Sequence, residues 1–400
     1  SQTSFFYPSV GLSGVISEMV KLPEWIDYLK VRGSFSSVGT PYPRFLVQPT
    51  YSYDPTKQDW NAKTHYPIGK LKPERTKSWE VGLDARILND ISLNLTYYRS
   101  NTYNQTFYAD LSLSSGYSNI PIQSGNIMNE GLEMSLGYNK QWKDFSFNTN
   151  YTLTWNKNRV KRLADGVYNY ATGQPIQMPE LSPLTYGHTD ARLILRVGGS
   201  MGDVYGQRLL KRDLNGYILN EEGVGLAMEN KETYLGSILP KMNMGWSLGF
   251  GYKGVNLGMT FTGRFGGIVI SETQSVLDAA GVSKVSADVR DAGGVQINQS
   301  KVSAQTYYQT IQGTAAYYTY SATNVRLGEL SLSYTLPKKW FDNKVGMTVG
   351  LVGKNLWMIY CKAPFDPELT TSAASNFYQG FDAYMLPSTR NFGFNVKFQF

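Results

Sequence analysis

The sequence is almost without cysteine. Cys361 stands alone among 400 residues, so no intrachain disulfide framework can staple the fold. One thiol suits a cell-envelope protein that folds without disulfides, and it suits other compartments as well. Histidine is nearly as scarce. His65 and His188 lie far apart in long connecting stretches, in no H-x-x-x-H spacing, so a histidine-built metal centre is not expected. Long apolar runs are missing too. Mean hydropathy is negative, and no stretch approaches the ~20 apolar residues that a spanning helix needs. A helical membrane protein is excluded. A β-barrel is not, because only alternate residues of its strands face lipid.

Catalytic motifs are also missing. No G-x-S-x-G, Walker-type or dinucleotide glycine pattern is correctly placed. Gly198-Gly199-Ser200-Met201-Gly202 is glycine-rich, but it lacks a following helix and a phosphate-binding Lys, and reads as a tight turn. The pairs Asp366 with Glu368 and Glu221 with Glu222 read as solvated loop carboxylates, since nothing fixes the separation that glycosidase chemistry requires. Asp213-Leu214-Asn215-Gly216 resembles the start of a calcium loop without its later acidic ligand, and reads better as a two-residue hairpin. Cys361 reads as a packing residue. No enzyme, cofactor or metal is expected.

Net charge is +7, and the basic residues are scattered apart from Lys157, Arg159, Lys161 and Arg162. Nucleic-acid binding would need a basic face or a known module, and neither is present. The chain opens at Ser1-Gln2-Thr3 with no Met and no signal peptide, as expected of a fragment or a processed chain.

What the sequence does have is alternation. Phe145, Phe147, Tyr151, Leu153 and Trp155 interleave with Ser146, Asn148, Asn150, Thr152, Thr154 and Asn156. Met244, Trp246, Leu248, Phe250 and Tyr252 interleave with Gly245, Ser247, Gly249 and Gly251, and Val255, Leu257, Met259 and Phe261 do the same over 255–262. Weaker versions lie at 5–17, 28–38, 79–88, 91–103, 128–139, 325–336, 345–357 and 391–400, making eleven expected strands. The phase slips inside 325–336, which predicts a bulge near Gly328-Glu329. The one helix-like stretch is Lys21 to Lys30, broken by Pro23.

Short connections at 18–27, 89–90, 140–144, 253–254 and 337–344 take turns with long ones near 39–78, 104–127, 157–243, 263–324 and 358–390. All long loops then fall at one end, as in a transmembrane barrel with short periplasmic turns and long extracellular loops. The polar faces are Gly, Ser, Thr and Asn, as a wet lumen requires. Tyr and Trp gather near strand ends (Trp25, Tyr28, Trp79, Tyr97, Tyr98, Tyr138, Trp142, Trp155, Tyr334, Trp340 and Trp357), where amphipathic rings suit a membrane–water interface. The expected fold is all-β: an antiparallel up-and-down transmembrane barrel. With Phe400 periplasmic, eleven strands leave Ser1 extracellular. An odd number of further strands must close the barrel, so a barrel of about 22 strands would be cut in half here.

The last strand resembles the C-terminal assembly signal of bacterial outer-membrane proteins through Asn391, Gly393, Val396, Phe398 and the terminal Phe400. Leu71-Lys72-Pro73-Glu74-Arg75-Thr76 with Glu80, Gly82 and Asp84, then Asn129-Glu130-Gly131-Leu132-Glu133, resemble strand entries of SusC/RagA-type TonB-dependent transporters. Ala322 with Arg326-Leu327 and Leu330-Ser331-Leu332, then Gly353-Lys354-Asn355-Leu356, Asp366-Pro367-Glu368 and Leu386-Pro387-Ser388-Thr389-Arg390, continue the resemblance in family order.

The resemblance implies a plug domain, not contained in these residues, within a barrel of which 1–400 is the C-terminal portion. It also implies an outer-membrane location, a SusD-like surface lipoprotein as partner, energy from TonB, and oligosaccharide or peptide cargo. Tyr307, Tyr308, Tyr317, Tyr318 and Tyr320 are the candidates for cargo or partner contact, because Tyr combines apolar area with a hydroxyl. Two alternatives stay open on sequence: a structural or adhesive outer-membrane barrel, and a soluble secreted β-protein that binds or degrades carbohydrate.

Overall fold

The computed structural model describes residues 6–41, 52–61, 66, 72–110, 117, 119–123, 125–163, 180–214, 216–217, 226–297, 300–369, 371 and 376–400. Eleven strands form one sheet in strict chain order: β1 (Ser9–Val15), β2 (Ile26–Thr40), β3 (Glu74–Ile87), β4 (Ile91–Tyr103), β5 (Asn126–Trp142), β6 (Phe145–Arg162), β7 (Met242–Tyr252), β8 (Val255–Phe265), β9 (Asn324–Thr335), β10 (Gly346–Cys361) and β11 (Asn391–Gln399). Every neighbouring pair is antiparallel. Among the described residues β1 and β11 each have one partner in this sheet and do not pair with each other.

The tight turns share one end. Trp142 pairs with Phe145 and Tyr252 with Val255, leaving two-residue loops. In the second, Lys253 and Gly254 take φ of 45° and 89°, so both central residues are left-handed as a type I′ turn requires. Ile87 pairs with Ile91 at the same end. The opposite end carries every long connection: Thr40 to Glu74, Tyr103 to Asn126, Arg162 to Met242, Phe265 to Asn324 and Cys361 to Asn391.

Alternation turns into continuous rows once register is added. Phe147 sits opposite Phe250, Phe250 opposite Leu257, Leu257 opposite Leu332, Leu332 opposite Leu351, and Leu351 opposite Phe394. A second row joins Leu136, Tyr151, Trp246, Phe261, Leu327 and Trp357. The expected bulge is present. Thr260 pairs with Glu329 but Phe261 with Leu327, so Gly328 is the unopposed residue. It returns Leu327 and Leu330 to the same face on either side of the phase slip.

Helix content differs from expectation. The region Lys21 to Lys30 is not helical: a single turn, Ile16–Met19, precedes it, and β2 begins at Ile26. Three eight-residue helices lie instead in the long connection after β8: α1 (Glu272–Ala279), α2 (Lys284–Asp291) and α3 (Ala304–Ile311). Their caps were readable. Ser271, Ser283 and Ser303 each accept a backbone N–H from three residues on. The segments are too short for periodicity to reveal.

The buried apolar core lies away from the middle of the wall. Among the described residues it is confined to the long connections and the adjoining strand ends, with Ile127, Val160, Tyr186, Leu193, Leu195, Val204, Ile238 and Ile270 at its centre. Trp246, Leu351 and Phe394, by contrast, are exposed at 43%, 60% and 69%. Their rows face no second sheet among the described residues. A water-soluble sandwich would bury these side chains, so the soluble reading is set aside.

Candidate functional site

One face of the sheet is greasy and the other polar, and the polar face carries the hydrogen-bonding side chains. Side-chain hydrogen bonds stitch it from strand to strand. Ser36 meets Ser78 at 2.7 Å, Thr76 meets Thr102 at 2.9 Å, Ser135 donates to Asn150 at 3.0 Å, and Tyr98 donates to Asn156 at 3.0 Å. Arg32 donates to Thr96 Oγ1 at 2.6 Å.

Along β6, Phe145 at the turn and Trp155 lie ten residue steps apart, and both lie on the apolar face. At ~3.3 Å per residue and a tilt near 40°, this sets the two rings about 25 Å apart in height, the thickness of a barrel's apolar band. Trp142, Tyr252 and Tyr334 share the turn-side level, and Trp79 and Tyr97 meet toward the loop side with tilted rings 5.3 Å apart.

Above the loop-side level the described parts of four connections pack into one cap. Four strands, Glu180–Thr185, Arg192–Arg196, Asp203–Leu210 and Met228–Ser237, form a sheet in chain order. A three-stranded sheet of Ile268–Ser271, Thr319–Ser321 and Phe381–Asp382 then joins two different connections, with Ile270 pairing in parallel to Phe381. Tyr186 is fully buried between Phe381, at 5.1 Å, and Tyr378, at 6.1 Å, and donates to the Phe377 carbonyl at 2.6 Å. Burial, with Tyr378 beside it, pushes the Tyr186 hydroxyl above its ordinary range.

Asp190 accepts the backbone N–H groups of Gln207, Arg208 and Ala315, and so ties α3's connection to the four-stranded sheet. Asp203 accepts from Ser200 N–H and from the Tyr234 hydroxyl. Burial nevertheless raises its carboxyl above the usual range.

The expected turns are in place. Gly198 takes φ of 91°, and the turn is clamped to Val160 by reciprocal backbone bonds of 2.8 Å. Arg212 pairs with Tyr217 and Asp213 with Gly216 around the predicted hairpin. His188 is exposed, while His65, Asn215, Glu221 and Glu222 lie outside the described residues.

Asp366 corrects an expectation. It is not solvated: its side chain is 8% exposed and takes a two-pronged ion pair from Arg326, at 2.8 and 3.0 Å. Burial alone would raise this carboxyl. The Arg326 guanidinium and the Glu368 N–H outweigh it and hold the group below the usual carboxylate range. Glu368 also accepts from Asn324 at 3.0 Å. The pairing joins two blocks, Arg326-Leu327 and Asp366-Pro367-Glu368, that the sequence shows 40 residues apart.

The candidate tyrosines divide. Tyr308 and Tyr318 are buried, in a second cluster with Leu210, Ile297, Val302 and Ile311. Burial, followed by the charge of Asp278, raises both hydroxyls. Tyr307, Tyr317 and Tyr320 are half-buried on its flank. Tyr317 accepts the Leu210 N–H at 3.2 Å, and Tyr320 packs edge-on to Phe365 at 5.6 Å, its hydroxyl pushed up to about 12 by burial. Asn391, Gly393, Val396 and Phe398 all lie on β11, with Phe400 just beyond it.

The family model of the TonB dependent receptor-like β-barrel matches residues 1–356. The chain belongs to that family. Its place is the bacterial outer membrane. Among curated relatives, TonB-dependent receptor P3 of Formosa agariphila is 26% identical over 365 residues, covering 84% of this chain and 35% of the relative. TonB-dependent receptor P26 of the same organism is 24% identical, covering 98% and 42%. The chain thus spans roughly two fifths of such family members or less. Among solved structures, the RagAB peptide importer superposes with a TM-score of 0.73 in its open-open state and 0.69 in its closed-closed state, at 18% identity in each. These cover 98% of this chain and 42–43% of theirs, and they establish a RagA-type barrel fold.

Proposed function

We propose that this chain supplies the C-terminal wall and much of the extracellular cap of an outer-membrane importer, energised by TonB, that takes up nutrient oligomers. The barrel closes at about 22 strands, with the remaining strands and a plug coming from outside these residues. Cargo is an oligosaccharide or a peptide, delivered beneath a SusD-like surface lipoprotein. The half-buried Tyr307, Tyr317 and Tyr320 are offered to cargo or to that lipoprotein, while Tyr308 and Tyr318 hold them in place.

The observation that carries this reading is the two-sided wall: apolar rows on one face, a hydroxyl- and amide-lined face on the other, and a packed cap at the end away from the tight turns. A polar face this wide suits passage of a hydrogen-bonding oligomer. Similarity to a peptide importer and to TonB-dependent receptors supports the same direction.

The test is deletion and complementation of the full-length gene in its own host. Growth on one oligomer class should fail on deletion, return with the intact gene, and stay lost with a tonB null. A surface lipoprotein should co-purify. Wild-type growth of the deletion strain on every oligosaccharide and peptide supplied would point instead to a structural or adhesive barrel.

A further inference from the structure

The polar face is electrically uneven. On β2 to β5 it carries Lys30, Arg32, Glu80, Asp84, Arg86 and Glu133. Arg32 and Asp84 approach to 3.8 Å, but Lys30, Glu80, Arg86 and Glu133 have no ion-pair partner among the described residues. On β6 to β8 the same face carries no charge between the turns and Arg264. It reads Ser146, Asn148, Asn150, Thr152, Thr154 and Asn156, then Asn243, Gly245, Ser247, Gly249 and Gly251, then Asn256, Gly258, Thr260 and Thr262. Arg264 itself is tied to the Ile238 carbonyl at 3.0 Å.

These two stretches suit different neighbours. A neutral hydroxyl or amide offers hydrogen bonds worth ~1 kcal/mol net, each replaceable by the next along the wall. A charged group binds about twice as strongly and would hold a passing oligomer in place. Unpaired charges of both signs, by contrast, suit a stationary protein surface bearing their complements. Glycines sit among the side chains of the neutral stretch, as they do in the charged one. A Cβ on Gly249 would lie 2.5 Å from Asn148 Oδ1, and one on Gly251 would lie 2.3 Å from Ser146 Oγ, so these glycines keep the wall low between its amides and hydroxyls.

We propose that the uncharged wall of β6 to β8 is the side of the lumen along which cargo passes, and that the charged wall of β2 to β5 is covered by folded protein filling the rest of the lumen. The inference rests on the import reading for its first half and not for its second.

The experiment uses the full-length protein in cells, in a Cys361→Ser background, carrying Ser247→Cys or Ser92→Cys. Ser92 lies on the polar face of β4, opposite Arg86. Modification after assembly separates charge from folding. At Ser247→Cys, a trimethylammonioethyl or sulfonatoethyl methanethiosulfonate adduct should slow import about tenfold relative to the neutral hydroxyethyl adduct. The thiol of Ser92→Cys should react about tenfold more slowly than that of Ser247→Cys, as a thiol shielded by protein does.

Equal import with charged and neutral adducts would overturn the path, and equal labelling rates would overturn the cover. If the unmodified Ser247→Cys protein imports no oligomer that supports wild-type growth, Ser247→Ala and Ser247→Thr take its place with Asn150→Lys as the charged arm. If wild type itself imports nothing, the import reading falls, and the labelling rates still decide the second half.

Discussion

Arg326 of β9 grips Asp366, in the connection between β10 and β11, through two hydrogen bonds of 2.8 and 3.0 Å, with both side chains about nine-tenths buried. The pair fastens the last long connection to the rim of the sheet. Its Glu368 and Asn324 neighbours satisfy the remaining polar atoms. A buried pair of this kind contributes little against a well-packed apolar substitute, yet costs much when only one partner is removed.

Arg326→Ala should therefore weaken the docking of that connection by ~3–5 kcal/mol, because Asp366 is left charged and buried. Hydrogen exchange over 362–369 reads this directly. Unchanged protection there, with Arg326→Ala folded in detergent, would show that the pair does not anchor the segment.

The same pair sets a pH window. Asp366 titrates below its ordinary range when folded, so its contribution is complete above the unfolded value of ~3.9 and is lost as pH falls through the lower folded value. Protection of 362–369 should stay level between about pH 8 and 5 and decline only in strong acid. A decline already centred near pH 6 would contradict the assignment.

On the apolar face, Trp246→Arg should destabilise the folded barrel by ~2–4 kcal/mol, whereas Asn150→Arg on the polar face should cost far less. Urea titrations of the full-length protein refolded into vesicles compare the two. Similar losses would mean that the faces have been assigned wrongly.

Deleting Gly328 should abolish assembly. Without the unopposed residue, either Leu327 or Leu330, with the apolar residues beyond it, must turn into the lumen. Fractionation and heat-modifiable migration give the answer, and a normally assembled deletion variant would rule out the bulge as the device that keeps the phase.

In the cap, Tyr186→Ala empties the fully buried space against Phe381 and Tyr378 and should cost ~3–5 kcal/mol. The loss should be local. Limited proteolysis is expected to open 376–384 and 180–196 while the strand wall stays resistant. Cleavage spread evenly over wall and cap would show the two to be one cooperative unit.

The sequence by itself determined the wall. Period-two alternation placed all eleven strands and the Gly328 bulge, because each strand must show lipid one face and water the other, and that demand is local and repeats every second residue. It could not determine the cap. Asp190 reaching Ala315, Ile270 pairing with Phe381, and Arg326 holding Asp366 are long-range matches, decided only when the chain brings distant connections together, and nothing in local spacing encodes which loop meets which. For the same reason Tyr308 and Tyr318 stood among the candidates for cargo or partner contact. Their neighbour Leu210 comes from a different connection, and burial is a property of that assembly alone.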